Sequence, residues 1–101
     1  MIEQVGMFDG AYGDLERSMQ VATGRQAVIS QNIANAKTPG YVPLEFNEEL
    51  MKAEKRLDRN QVVLEDELAA LTENSIKYSA LVKLMSSKIN VLRTIATQGR
   101  R

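Results

Sequence analysis

The side chains best equipped for chemistry in this sequence are three consecutive carboxylates, Glu65, Asp66 and Glu67. Neighbours on a helix are about 100° apart, so three in a row splay around the axis and do not converge on one substrate atom. The chain has no histidine and no cysteine, which removes the usual general base, the commonest metal ligand and any thiolate nucleophile or disulfide. It also lacks a glycine-rich phosphate cradle and any cluster at metal-ligand spacing. The expectation is a protein that is not an enzyme, with no catalytic, cofactor-binding or metal-binding residues. The polar residues that do stand in a specific pattern are Ser30-Gln31-Asn32-Ile33-Ala34-Asn35-Ala36-Lys37-Thr38-Pro39-Gly40-Tyr41. Their chemistry is the organisation of backbone.

Thr38-Pro39-Gly40-Tyr41 suits a β-turn. Proline presets φ near −65° at the second position, and glycine accepts positive φ at the third without steric cost. Asn32 and Asn35 stand where a helix runs out, where asparagine either enters the left-handed region or bonds the orphan carbonyls of the last turn. The motif reads as a helix stop followed by a fixed change of direction. On spacing alone the ordinary helix exit is the favoured reading.

Two long elements must position this segment. Over residues 8–35 the stripe Phe8, Tyr12, Leu15, Met19, Ala22, Gln26, Ile29, Ile33 alternates by four and three, the heptad seam of a coiled coil with one polar member, Gln26. Asp9 is a candidate cap, and Gly24 costs about 1 kcal/mol against alanine inside a helix, marking a weak point or bend. Over 62–97 the stripe is Leu64, Leu68, Leu71, Ser75, Tyr78, Val82, Met85, Ile89, Leu92, Ala96. Glu65, Asp66 and Glu67 fill its first turn, and Lys88, Arg93, Arg100 and Arg101 gather toward its end, as the helix dipole favours. Leu81, Leu84 and Ile95 widen the apolar face beyond one two-stranded contact, and so call for a third helix, a neighbouring subunit or the middle segment folded back.

The middle, 36–61, reads as the turn followed by a mobile stretch. Val42-Pro43-Leu44-Glu45-Phe46 is extended by its proline. Asn47 reads as the N-cap of a short helix over 48–57, with Glu48 and Lys52 paired at i, i+4. The expected fold is all-α: one domain over 1–101, built as an antiparallel coiled-coil hairpin or small bundle of two amphipathic helices. With Ile33 facing Leu64, Ala22 falls opposite Ser75, Phe8 opposite Ile89, and Gln26 near Leu71, where a lone polar group would fix register.

At 101 residues with 13 basic and 13 acidic side chains the net charge is zero, which argues against nucleic acid as a partner. The charge is uneven: residues 1–50 carry three basic and seven acidic groups, residues 51–101 ten and six. Opposite halves favour packing together, within one chain or between neighbours. The first residues show neither the basic start nor the apolar stretch of a cleavable signal peptide, and no apolar run reaches the length of a membrane span.

The run Ser30, Asn32, Ile33, Ala34, Asn35, Thr38, Pro39, Gly40, Tyr41 resembles, without a gap, the N-terminal signature of the flagellar axial family of bacterial rod, hook and hook-associated proteins. Leu64-Glu65-Asp66-Glu67-Leu68, with Thr72-Glu73-Asn74 and Tyr78, is similar to the C-terminal helix of the rod members, and the stretch from Leu81 to Ile95 resembles that of a proximal rod subunit. The short middle departs from the family pattern. The resemblance implies a structural subunit of the basal body, exported without a cleaved signal and built into the periplasmic rod. It also implies terminal helices that pack through seam residues Leu15, Met19, Ile29, Ile33, Leu68, Leu71, Tyr78, Val82, Met85, Ile89 and Leu92. Implied partners are other copies of the chain, other rod proteins, and the membrane-embedded base and export apparatus, with no small-molecule substrate. A free-standing coiled-coil adaptor would account for the two seams but gives the 30–41 motif no purpose.

Overall fold

The structure is a computed structural model that describes residues 2–99, with side chains from Gly13 onward. Four elements follow in order: α1 (Ile2–Ala34), β1 (Leu44–Asn47), β2 (Lys52–Lys55) and α2 (Leu64–Gln98). The two helices lie side by side in a body 65 × 23 × 15 Å across. Their register is antiparallel: Asn74 of α2 donates from Nδ2 to the carbonyl of Ala22 at 2.8 Å and to Oε1 of Gln26 at 3.1 Å. Asn74 adjoins Ser75, so Ala22 sits within one residue of its expected opposite. The side chains of Phe8 and Tyr12 lie outside the described residues. The backbone of Asp9 falls inside α1, which starts at Ile2, so Asp9 is not the cap residue.

The core is narrow. Leu15, Ala22, Val28 and Ile29 are its buried apolar residues. On α2, Glu67 and Asn74 are buried and Ala70, Leu71, Leu81, Met85 and Ile89 half-buried, so the inward face keeps Leu71, Met85 and Ile89 of the expected seam and shifts by one residue from Leu68 and Ser75 to Glu67 and Asn74. Small Ala22 allows the close approach through which the Asn74 amide reaches backbone. Leu64, Leu68, Tyr78, Val82 and Leu92 consequently stay on an exposed flank.

The expectation of an all-α chain holds for the two arms and fails in the middle. Residues 44–55 form a two-stranded antiparallel hairpin with Phe46 opposite Ala53 and Asn47 opposite Lys52, in place of a helix over 48–57. The misreading has a physical cause. Asn47 Oδ1 accepts the N–H of Leu50 at 2.9 Å, the bond an N-cap makes. Met51 then takes φ 53°, and this left-handed residue turns the chain back. Glu48 does not pair with Lys52. It forms an ion pair with Arg25 on α1, while its carbonyl accepts from Arg17 Nη2 at 3.2 Å. Lys52-Ala53-Glu54-Lys55 has little strand preference of its own, so the sheet is set by tertiary contact.

Phe46 supplies that contact. Its ring lies against Gly24: a Cβ there would stand 2.8 Å from Cδ1 and closer to Cε1 and Cζ. Gly24 is therefore the seat of the hairpin, and its lack of a side chain is what the site uses.

Candidate functional site at the helix exit

α1 ends where its own side chains take over from helical bonding. Asn35 Nδ2 donates to the carbonyl of Gln31 at 2.9 Å, and Thr38 Oγ1 donates to Asn35 Oδ1 at 3.2 Å. An orphan carbonyl of the last turn is thus answered locally. The chain then turns over Thr38–Tyr41, with the Tyr41 N–H donating to the Thr38 carbonyl at 3.2 Å. Gly40 has φ 77°, the type II geometry in which position three carries positive φ.

Asn32 plays a different part from Asn35. Its side chain, 1% exposed, reaches out of the helix to β1. Nδ2 donates to the Leu44 carbonyl at 2.9 Å, and Oδ1 accepts the Leu44 N–H at 2.9 Å. A side-chain amide thereby makes both bonds that a neighbouring strand would make. Oδ1 also accepts the Tyr41 hydroxyl at 2.6 Å. One amide holds the turn and the first residue of the hairpin to the last turns of α1. Pro43, between them, is fully buried.

The return path is pinned as well. The Arg56 N–H donates to the Pro43 carbonyl at 2.9 Å. Its guanidinium donates from Nε and Nη2 to the Asp58 carboxylate at 3.1 and 3.0 Å and lies 3.6 Å from buried Glu67 on α2. The forked hydrogen bond holds the Asp58 carboxyl below its ordinary range. Arg59 pairs with Asp66. The first turn of α2 has no side-chain cap, and its acidic residues Glu65, Asp66 and Glu67 stand at the positive end of the helix dipole instead.

An open cleft of about 490 Å³ lies between α1, β1 and the start of α2, and its walls include Asn32, Phe46, Arg56 and Glu67. Its arginines are engaged with neighbouring carboxylates, and among the described residues no buried side-chain polar atom lacks a partner. Such a site holds backbone in place.

Of the other motif residues, Ile33 and Tyr41 are half-buried, while Ser30, Ala34, Thr38, Pro39 and Gly40 are exposed. In the seams, Leu15 and Ile29 are buried and Met19, Ile33, Leu71, Met85 and Ile89 half-buried; Leu68, Tyr78, Val82 and Leu92 are exposed. The sequence reading missed Asn74, Glu67, Arg56 and the Phe46–Gly24 contact. Phe46 had a legible signal, as the lone aromatic between two polar stretches. The others depend on register.

Two expected outcomes follow from this geometry. Nothing lies within 4 Å of a Cβ built at Gly40, so Gly40→Val meets no clash and its cost is purely that of forcing positive φ on a β-branched residue. A loss of about 1–2 kcal/mol is expected in denaturant unfolding, and Gly40→Asn should recover most of it. Equal stability of the valine chain and the parent would rule out the type II turn.

The second concerns pH. Burial, and then the charge of Glu67, raise the Tyr41 phenol above its ordinary 10.0. A raised acid is favoured in its neutral form by folding, so its contribution is complete below pH 10.0 and is lost as pH rises through the folded value. Tyr41→Phe should remove that alkaline component from the stability profile. Parallel profiles for the two chains would contradict it.

Residues 17–41 match the family described as "Flagella basal body rod protein", a segment that contains the whole elbow motif. The chain is also 28% identical over 129 residues to the flagellar basal body rod protein FlgB of Bacillus subtilis (strain 168), covering 95% of this chain and 100% of that protein. The segment that forms the hydrogen-bonded elbow and a likeness running over nearly the entire chain both make this chain similar to flagellar basal body rod proteins.

Proposed function

We propose that the chain is a subunit of the proximal rod, polymerising through its two terminal helices to form part of the shaft that carries torque from the motor. The observation that carries this reading is the Asn32 elbow, in which a single buried amide binds Leu44 and Tyr41. A subunit repeated in a rod must send its chain out of the helical arm in the same direction in every copy, and a buried, fully satisfied amide enforces one direction. The exposed apolar residues on α2 support it too, since the hairpin leaves them without a partner. The seam residues pack the helices. Ser30, Asn32, Ile33, Ala34, Asn35, Thr38, Pro39, Gly40 and Tyr41 set the exit angle.

In this reading residues 1–101 act as one axial domain, exported without a cleaved signal and assembled in the periplasm against other rod subunits and the membrane-embedded base and export apparatus. The alignment with the Bacillus protein is longer than this chain, and this reading assigns the difference to the short middle. Contacts that a longer middle would make are then absent, and assembly leans on the helices.

Deleting the gene tests the reading. Loss of flagella and motility, restored by the intact gene, is expected; a deletion strain with normal filaments would overturn it. In solution, helicity should rise with protein concentration as copies associate, whereas a free-standing adaptor would be fully helical at every concentration.

A further inference from the structure

The chain has five methionines, and the three whose side chains the structure describes meet in one place. Met19 of α1, Met51 of the hairpin turn and Met85 of α2 line a single open cleft of about 650 Å³, together with Gly24, Phe46 and Tyr78. All three methionines are half-buried, so they are packed yet within reach of a small solute. In this cleft the hairpin, α1 and α2 share a wall, and the Phe46 ring rests there on its Gly24 seat.

Met51 is the strained member. Its φ of 53° is a left-handed backbone that few residues besides glycine, asparagine and aspartate adopt, and such a conformation persists only where surrounding contacts hold it. The polar ties at this end of the hairpin are exposed: the Arg25–Glu48 ion pair and the bond from Arg17 to the Glu48 carbonyl. Exposed ties of this kind are individually weak, which leaves the cleft as the main hold on the turn. At the other end of the hairpin the buried Asn32 amide grips Leu44. With no cysteine, tryptophan or histidine in the chain, methionine is the side chain that a mild oxidant attacks. Hydrogen peroxide transfers one oxygen atom to a sulfur lone pair. The O–O bond breaks, the sulfur gives up two electrons and becomes a sulfoxide, and the peroxide leaves as water. The new oxygen needs a donor or water, so a sulfoxide no longer suits a cleft built on Phe46 and two further methionines.

We propose that Met51 is an oxidation site that latches the hairpin. As a thioether it holds the turn in the cleft between α1 and α2. As a sulfoxide it moves into water and frees residues 46–53, while Asn32 keeps Leu44 in place. A freed two-stranded hairpin is marginal by itself, so its own ladder loosens with it. Reduction of the sulfoxide by two thiols, which leave as a disulfide and water, closes the latch again. The assignment does not depend on the rod reading.

The test is graded oxidation of the full chain with hydrogen peroxide, with peptide mapping to assign each added oxygen among the five methionines and amide hydrogen exchange read by residue. Chains oxidised at Met51 should exchange about tenfold or more faster over residues 46–53, while the Leu44 N–H keeps its rate. Treatment with a methionine sulfoxide reductase should restore the parent's rates. Met51→Leu conserves volume and removes the sulfur, and Met51→Gly accepts positive φ without a side chain. Whatever their rates before treatment, neither variant should respond to peroxide over 46–53. A Met51 that takes up no oxygen in the folded chain, unchanged exchange once it has, or variants that loosen as the parent does would each overturn the latch. So would a rise of equal size at Leu44 and throughout both helices, which is global unfolding. None of these outcomes bears on the rod reading, which the deletion strain decides separately.

Discussion

Asn32→Ala should cost about 3 kcal/mol, more than any change at the exposed positions of the elbow. The substitution removes three hydrogen bonds at once and leaves the Leu44 N–H and carbonyl and the Tyr41 hydroxyl facing a small void. An orphaned buried polar group costs about 1–3 kcal/mol, and movement of the hairpin toward water relieves part of the sum. In a chain of this size each kcal/mol shifts the thermal midpoint by about 4–8 °C, so a fall of more than about 10 °C is expected. Loss of motility should accompany it in the cell.

Asn32→Asp separates the lock from simple loss of volume. A neutral carboxylic acid has the same pattern as the amide, with one donor for the Leu44 carbonyl and one acceptor for the Leu44 N–H and the Tyr41 hydroxyl. The carboxylate lacks the donor and sets a negative oxygen against a carbonyl. Burial and that repulsion raise the folded pKa of the new acid. Its contribution is then present below the unfolded value and lost as pH rises through the folded one. The aspartate chain should therefore approach the parent in acid and fall well below it at neutral pH. An alanine chain with the parent's midpoint, or an aspartate chain whose deficit is the same at every pH, would remove Asn32 from the centre of the elbow.

Asn74→Asp is the second large effect. Asn74 is 4% exposed, and its Nδ2 gives one proton to the Ala22 carbonyl and one to Gln26. A carboxylate there would be buried against the Ala22 carbonyl with both donors lost, and only a turned Gln26 amide could answer it. Breaking a buried polar pair so that a charge is left unanswered costs about 3–5 kcal/mol. The opposite change is more telling. Gln26→Leu alone leaves Asn74 still bonded to Ala22, so little gain is expected from it. Gln26→Leu together with Asn74→Leu removes donor and acceptor in one step, and the Ala22 carbonyl keeps its place in the helix. That pair should raise the thermal midpoint. Without the amide, the helices lose both side-chain hydrogen bonds that join them among the described residues, and backbone resonances around Ala22 should broaden or double. A double variant that is less stable than either single one would refute this account of the interface.

Why Asn74 and Asn32 look alike from the sequence, and why neither role was legible there, has the same answer. Both are polar residues beside an apolar stripe, a pattern that most often puts the side chain in water. Their bonds join residues 52, 48 and 12 apart in the chain. No local spacing encodes such partners. Asn35 was readable, since its acceptor is four residues back and inside its own helix. So was Gly40, since a turn is closed within four residues. Asn47 marks the boundary between the two cases. Its side chain makes the local bond that a helix start makes, and only the docking of Phe46 on Gly24 decides that the chain turns into a strand.

The sequence by itself determined the two helical arms, the stop after Ala34, the type II turn at Thr38–Tyr41 and the absence of histidine and cysteine chemistry, because each depends on period, propensity or a residue type within a few positions. Tertiary structure alone decided the hairpin, the amide that ties it to α1 and the face that α2 presents to α1. Each of those is a contest among distant groups, settled by close packing against Gly24 and Ala22, where the absence of a large side chain lets ring and amide approach backbone.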